Sequence, residues 1–559
     1  VSRIAEAWRG NAERFRQSAA EIMTSLQHIW NVSSEGELPQ NIQEQTFNHL
    51  AGQFDEIFGG FGTAPKFPMP HQLLFLLRHG SRSGNPKAIR MVEKTLSAMA
   101  AGGIHDHLGG GFHRYSTDPR WLVPHFEKML YDQALLSLAY TETFQVTGNV
   151  FFRDVAEKIF AYVLRDMTSE QGGFFSAEDA DSEGEEGKFY IWRQRELEGI
   201  LLPEEVKLIA HYFAIEPQGN YTDELKGGYT GDNILHRQHS LAEIAVKLKS
   251  TEADVLKGAT AVSEVLFNHR KKRIRPHRDD KITTDWNGLT IAALAQGGRV
   301  YGNGAYGDAA TAAARFVLEN LRQKDGRLLH RWREGEAAMP ASLDDYAFFI
   351  WGLFELYEAT FDPQWLDAAL SLNDDLTRYY WDEESGAYYF TPADGEELLL
   401  RQKELYDGAI PSGNAVACLN LIRLGKTTGR PDLEERADRL LKSVAGAIRQ
   451  MPGGCAQFMI AVDFLAGPSY EVVIAGVPER EDTRAMLETL NRHYLPRAVV
   501  LFRPAGVADS LLVKLASYVQ NMDMIDGQAT AYVCVNQACH TPTTDPMEMI
   551  LRLSAPAVK

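Results

Sequence analysis

Apolar residues recur at spacings of three and four through most of the first 465 residues, the periodicity of helices that bury one face. HQLLFLLRHG, FEKMLYDQALLSLAYTETF, FFRDVAEKIFAYVLRDM, WNGLTIAALAQGGRVYG and AATAAARFVLENLRQ all carry it, and strand-like alternation is rare there. Between the helices a glycine followed by large apolar residues keeps returning: Gly59, Gly110, Gly172, Gly326, Gly386 and, weakly, Gly453. The spacings are 51, 62, 154, 60 and 67 residues, and all but the third suit a pair of helices with their connections. Six helical hairpins, none able to bury its apolar face alone, predict a mainly α (α/α)6 toroid over residues 1–466. An open α-solenoid is the alternative, but its repeats are shorter and more regular. The long third gap predicts an insertion at about 187–280, with the polar run 217–233 as a long loop. After residue 466 strands alternate with helices (SYEVVIAG, DTRAMLETLNRHYL, RAVVLFRP, ATAYVCV, DPMEMILRL), which predicts a small C-terminal α/β lobe at 467–559.

The formal charge of −18 on 559 residues sets nucleic acid and anionic membranes aside as default partners. The longest apolar runs, 73–77 and 347–354, are too short to span a bilayer. Four cysteines make no secreted disulfide framework, so a reducing, cytoplasmic setting is expected. The chain begins with Val1 inside a helical pattern, so a targeting segment is not addressed by this sequence. Cys534 and Cys539 have four residues between them, which fits neither a thiol oxidoreductase C-x-x-C nor a paired zinc knuckle. The basic run at 268–281 reads either as an anion patch or as charges paired within the protein, flanked as it is by Asp279 and Asp280.

Candidate chemistry concentrates at 102–132, where His105, His107, His113 and His125 accompany Arg114, Trp121, Glu127 and Asp132. Their spacing matches no structural-zinc pattern, so hydrogen-bonding or acid–base histidines are expected, with no metal and no cofactor. A helix starting at Pro124 would set His125, Lys128, Met129 and Asp132 on one face. Six carboxylates between Glu178 and Glu186 lie on a calcium-loop template only in part, because position twelve falls on Tyr190. Three further motifs open inner-helix candidates: Asp285, Trp286 and Asn287; Asp344, Asp345 and Tyr346; Asp407, Ser412 and Asn414. Each is also a good helix cap, Ser342 and Asp345 having capping-box spacing. Together they place carboxylates at helix N-termini, which in a toroid converge on one mouth. Trp121, Trp192, Trp286, Trp332 and Trp381 lie near these turns, as flat faces for a sugar-like ligand would.

The segments GGFGTAPKFPMPHQL, GGGFHRYSTDPRWLVPHFEKMLYDQA, FFSAEDADSEGEEGKFYIW, RDDKITTDWNGL, DGAIPSGNA and AYVCVNQAC, in this order, resemble the YyaL and spermatogenesis-associated protein 20 family of thioredoxin-domain-containing proteins. The resemblance covers nearly the whole chain. It implies a thioredoxin-like domain followed by an (α/α)6 barrel related to sugar epimerases and glycosidases. This chain starts in the helix that follows the thioredoxin-like domain, so that domain is an expected partner normally carried in the same chain, and its redox role falls on no residue here.

These readings predict an enzyme acting on a carbohydrate or polyol, epimerase-like or glycosidase-like, at the barrel mouth. His113 and His125 are expected as proton shuttles, with Glu127, Asp179 and Asp285 as bases or hydroxyl acceptors. Expected substrate contacts are Lys66, Arg114, Tyr115, Trp121, Lys128, Asp132, Asp181, Trp286, Asn287, Asp345, Tyr346, Asp407, Ser412 and Asn414. The competing reading is a redox-linked or client-binding protein whose barrel serves the thioredoxin-like domain.

Overall fold

A computed structural model describes residues 2–30, 36–223, 227–507, 510–535 and 538–554; within the polar run 217–233, residues 224–226 lie outside the described residues. A helix at Ser2–Trp30, interrupted by the non-helical backbone of Asn11, precedes the body. Among the described residues, twelve helices then build two concentric rings: α1 (Ile42–Gln53), α2 (Pro70–Ser83), α3 (Pro86–Ala101), α4 (Leu130–Thr147), α5 (Val150–Tyr162), α6 (Thr284–Tyr301), α7 (Gly304–Asn320), α8 (Leu343–Thr360), α9 (Pro363–Tyr380), α10 (Gly413–Thr428), α11 (Pro431–Gln450) and α12 (Ala456–Leu465).

The even-numbered helices form the inner ring, each packing on the next, and α12 returns to α2 to close it. This closure makes the fold an (α/α)6 toroid. Sequence explains which helix goes where. The inner α8 is apolar all round and buried from Leu343 to Glu358, whereas the outer α11 buries one stripe that includes Leu433, Ala437, Leu440, Leu441 and Val444. Close approach of α6 and α8 depends on Gly288 and Gly352. A Cβ at Gly288 would lie 2.5 Å from Phe348 C and Phe349 N, and one at Gly352 would lie 2.5 Å from Gly288 O. The sixth hairpin is not contiguous: α1, first in the chain, packs on α12, the last ring helix.

The recurring glycine motif has one structure at five of its six positions. Gly59, Gly110, Gly172, Gly326 and Gly386 have positive φ, the left-handed region that favours glycine. Two residues further on, Phe61, Phe112, Phe174, Leu328 and Tyr388 each make an antiparallel bridge back to the end of the outer helix or turn before it. Gly453 departs from the pattern; it sits in a 3-10 turn, Pro452–Cys455, pressed against His49 of α1.

Between α5 and α6 lie the helices Gln194–Glu198, Pro203–Tyr212, Leu241–Leu248 and Glu252–Arg270, which share their own apolar cluster around Trp192, Leu197, Ile209 and Leu266. After α12 come the strands Tyr470–Gly476, Ala498–Pro504, Thr530–Val535 and Ala538–Cys539. The first two pair in parallel across the helix Glu481–Arg492, and the others add antiparallel. In this sheet Cys534 stands opposite Cys539 and the two form a disulfide; the spacing that fits no redox or zinc motif is that of a cross-strand bridge. Its presence is at odds with the wholly reduced thiols expected from the cysteine count, and Cys418 and Cys455 remain free and buried.

The lobe covers the end of the ring where the inner helices finish. There Arg299 and Arg423 share Glu355 and Glu358, Arg78 pairs with Glu142 at 2.6 Å, and Val500 N–H donates to Glu358 at 3.0 Å. No helix among the described residues is long and apolar enough to cross a membrane.

Candidate active site at the barrel mouth

The opposite end gathers the first turns of the inner helices, and short strands lead into them. Lys128–Met129, just before α4, pairs with Ala177–Glu178, which pairs with Arg278–Asp279. Ile282–Thr283, just before α6, pairs with Leu329–Arg333. The helix expected from Pro124 is therefore absent. Pro124–His125 pairs with Tyr115–Ser116, and Arg114 N–H donates to Glu127 O, so the backbone of 124–129 is used in strand bonds and α4 starts only at Leu130. Alternation replaces the helical face, and His125 and Lys128 point to different surroundings.

Three side chains at this mouth form a hydrogen-bonded unit. His330 Nδ1 donates to Asp345 Oδ1 at 2.9 Å, and Asp285 N–H donates to the same oxygen at 3.1 Å. Asp345 Oδ2 accepts Ser342 N–H at 2.7 Å and Ser342 Oγ at 3.0 Å, completing the capping box of α8. Asp345 is fully buried and His330 is 31% exposed. The bond to Asp345 raises the His330 imidazole to about 9. Burial, and then the Asp345 charge, push the Asp285 carboxyl up to about 7. Asp344 is buried against the N-terminus of α10, where a Cβ at Gly413 would collide with its Oδ1. Burial, then Asp285, hold Asp344 well above the usual carboxylate range.

A second group adjoins the first through aromatic contact: Trp286 meets Tyr131 edge to face at 5.0 Å. Arg114 Nε donates to the Tyr131 hydroxyl at 3.2 Å and Arg114 Nη1 to Glu127 at 2.9 Å. His125 lies 3.6 Å from Glu127 and donates through Nδ1 to Glu186 at 2.7 Å, which together raise its pKa. Asp132, in the first turn of α4, keeps a buried Oδ2 without a partner, and burial holds this carboxyl well above its usual range.

Comparison with known proteins gives the chain its relatives. Spermatogenesis-associated protein 20 of Homo sapiens is 36% identical over 98% of this chain and 74% of its own length, and that of Mus musculus is 35% identical over the same shares. The chain belongs to the spermatogenesis-associated protein 20 family. No protein-family profile matches it. Among solved structures, D-mannose isomerase is similar at 11% identity and a TM-score of 0.47, over 72% of this chain and 85% of that one. A GH76 alpha-mannanase of Bacteroides thetaiotaomicron is similar at 12% identity and a TM-score of 0.42, over 76% of this chain and 96% of that one.

In this member of the spermatogenesis-associated protein 20 family several sequence candidates serve the scaffold. His113 is buried, bonded through Nδ1 to Phe126 O at 2.9 Å and driven by burial to about 3, so it is a neutral core residue away from the mouth cluster. Asp179 and Asp181 lie exposed on the acidic hairpin and do not reach the cluster. Lys66 is fully buried, donating to Asp55 at 2.7 Å and to Gly59 O and Pro119 O at 2.9 Å, under the ring of an equally buried Trp121. Tyr115 is stacked between Phe67 and His125.

First-turn amides of the inner helices pin the glycine-motif strands. Asn287 accepts Phe174 N–H at 2.8 Å and donates to Phe174 O at 2.9 Å; Asn414 makes the same pair of bonds with Tyr388, both at 2.9 Å. Gln133 does this for Phe112, and the Tyr346 hydroxyl accepts Leu328 N–H at 3.1 Å. Asp407 accepts Ser412 N–H at 3.0 Å and Gln457 N–H at 2.8 Å, tying α10 to α12, while Ser412 caps α10. Lys128 faces a separate cavity, with its ammonium on Asp106 at 2.8 Å.

Sequence spacing does not single out His330, which sits 15 residues before Asp345 on an ordinary-looking strand. Among the described residues, Asp285, His330 and Asp345 also have atoms close enough together to share an ion, within 4.8 Å. Both Asp345 oxygens also accept protein donors, two of them backbone N–H groups.

Proposed function

We propose that the barrel mouth is an acid–base active site for a polyhydroxylated, sugar-like substrate, and that it performs proton transfer of the isomerase or epimerase kind. The arrangement of Asp285 and His330 on either side of Asp345 carries this reading. It sets a carboxyl that titrates at about 7 beside an imidazole that titrates at about 9. Between those values the carboxylate is a base and the imidazolium an acid, the pair needed to remove a proton next to a carbonyl and protonate the oxygen. Asp285 would take the carbon-bound proton, the C–H pair would form a carbon–carbon double bond as the carbonyl π pair moves onto oxygen, and His330 Nε2 would protonate that oxygen to give an enediol. Reversal on the neighbouring carbon, or on the other face, gives the isomer or epimer. The half-buried Trp286 offers a ring face to a sugar, and the Arg114–Glu127 pair offers a donor and an acceptor to its hydroxyls.

Glycosidic cleavage is the weaker reading. It uses two carboxyl groups free to act, one of them ionised. Here Asp345 is committed to Ser342 and Asp285, and burial holds Asp344 well above the usual carboxylate range.

A panel of aldoses, ketoses and short oligosaccharides, analysed chromatographically, tests the proposal. Interconversion of isomers is expected, slowed roughly 10²–10⁴-fold in Asp285→Asn. A folded protein that converts no member of the panel would remove the reading.

A further inference from the structure

No side chain of the basic run at 268–281 belongs to the hydrogen-bonded groups of the mouth, although its Arg278–Asp279 backbone pairs with Ala177–Glu178 there. Most of its charges are paired within the protein: Arg273 with Glu196 at 2.6 Å, Arg275 with Asp166 at 2.8 Å and Glu178 at 2.6 Å, and Arg270 with both oxygens of Asp106 at 2.8 Å. The pairing is incomplete where Arg270, Lys271 and Arg275 meet Lys128 and Arg165 around a cavity of about 230 Å³. Three carboxylates, those of Asp106, Asp166 and Glu178, share that cavity with these five cations.

Every carboxylate oxygen there is already occupied. Asp106 accepts from Arg270, Lys128, Leu108 N–H and Gly109 N–H. Asp166 accepts from Arg275 and Arg165, and Glu178 from Arg275 and the Tyr162 hydroxyl. Donors, in contrast, are left over. Arg270 Nε is buried without a hydrogen-bond partner in a side chain only 4% exposed. Lys271 Nζ has a long 3.5 Å contact with Asn268 and otherwise stands over the Phe267 ring at 4.3 Å. The helix Glu252–Arg270 ends here with about half a negative charge from its dipole, less than the surplus of the side chains.

We infer that this cavity binds a small phosphate-class oxyanion. A tetrahedral dianion would neutralise the surplus and give the Lys271 ammonium an acceptor, the task to which arginine and lysine donors are best suited. The anion would arrive either as free inorganic phosphate or as the phosphate group of a small metabolite. This site is separate from the mouth, and the inference does not rest on the reaction proposed there.

Titration calorimetry and thermal unfolding of the full chain, at constant ionic strength, test it with inorganic phosphate, glucose 6-phosphate and glucose. Saturable one-to-one binding of phosphate or glucose 6-phosphate, but not glucose, is expected, with a raised unfolding midpoint. The tighter of the two probes identifies the source. Lys271→Gln, at an exposed position, should weaken binding by about tenfold. Tyr190→Phe, which removes a hydroxyl from the cavity wall, should weaken it less and serves as a second variant whose unliganded melting curve reports on folding. Absence of saturable binding by both phosphates, or unchanged affinity in both variants, overturns the inference.

Discussion

His330 donates through Nδ1 to Asp345 at 2.9 Å, and this one bond fixes the chemistry of the mouth. It orients the ring so that Nε2 is the nitrogen left for a ligand, and it holds the imidazole protonated well above its ordinary pKa. Asp345 does this while capping α8 and receiving the N–H of Asp285, so the orientation of the His330 ring, the helix start and the backbone of Asp285 are tied to a single carboxylate.

The rate should have a bell-shaped pH dependence. Asp285 must lose its proton to act as base, so activity rises through about 7; His330 must keep its proton to act as acid, so activity falls through about 9. The two limbs belong to the coupled pair. A pH–rate profile checks this, and a plateau extending well below pH 6 or above pH 10 would contradict it.

Asp345→Asn should return the His330 pKa toward its ordinary value and weaken the start of α8. Loss of the charged cap is expected to cost about 1–2 kcal/mol. Histidine titration by NMR and urea unfolding read the two effects separately.

Stability should fall as pH rises from about 4 to 9. Asp285 has its folded pKa raised from 3.8 to about 7, so the folded state retains a proton there that the unfolded chain has released, and stability is lost across that interval. His330, raised from 6.5 to about 9, contributes stability that is complete below 6.5 and lost as pH passes 9. Asp285→Asn should remove the acid part of this slope and make the protein more stable than wild type at pH 8, by roughly 1–3 kcal/mol. Unfolding measured at several pH values decides the sign.

Asn287→Ala should act on stability and not on ligand recognition. It leaves the buried N–H and C=O of Phe174 unpaired, a cost of about 2–4 kcal/mol. Gly288→Ala should cost at least as much, because the added Cβ meets the backbone of α8 and not a side chain that can move. Urea denaturation of both variants checks the pair; a Gly288→Ala protein of wild-type stability would contradict the packing described here.

Much of the ring is legible in the sequence because its determinants are local. A glycine at positive φ followed by a large apolar residue marks the turn wherever it occurs, and five such turns set the period. Closure is different: α1 and α12 form a hairpin only in space, and nothing in either segment names the other. The site divides in the same way. Asp285 and Asp345 stand out as polar residues at helix starts, but so do Asn287 and Asn414, and such residues serve a ligand or a neighbouring backbone equally well. Lys66 and Lys128 are expected from the sequence as substrate contacts, and only the structure sets their distant acids, Asp55 and Asp106, beside them. His330 acquires its role only from a carboxylate on another element.

The most direct test of proton transfer at the mouth is solvent exchange. Candidate aldoses and ketoses are incubated with the protein in deuterated water, and the carbon next to the carbonyl is followed by NMR. Deuterium should enter at that carbon with the wild-type protein and at a rate lower by roughly 10²–10⁴-fold with Asp285→Asn or His330→Gln. Turnover and deuterium entry at the wild-type rate in both variants would contradict the assignment of Asp285 and His330 as base and acid.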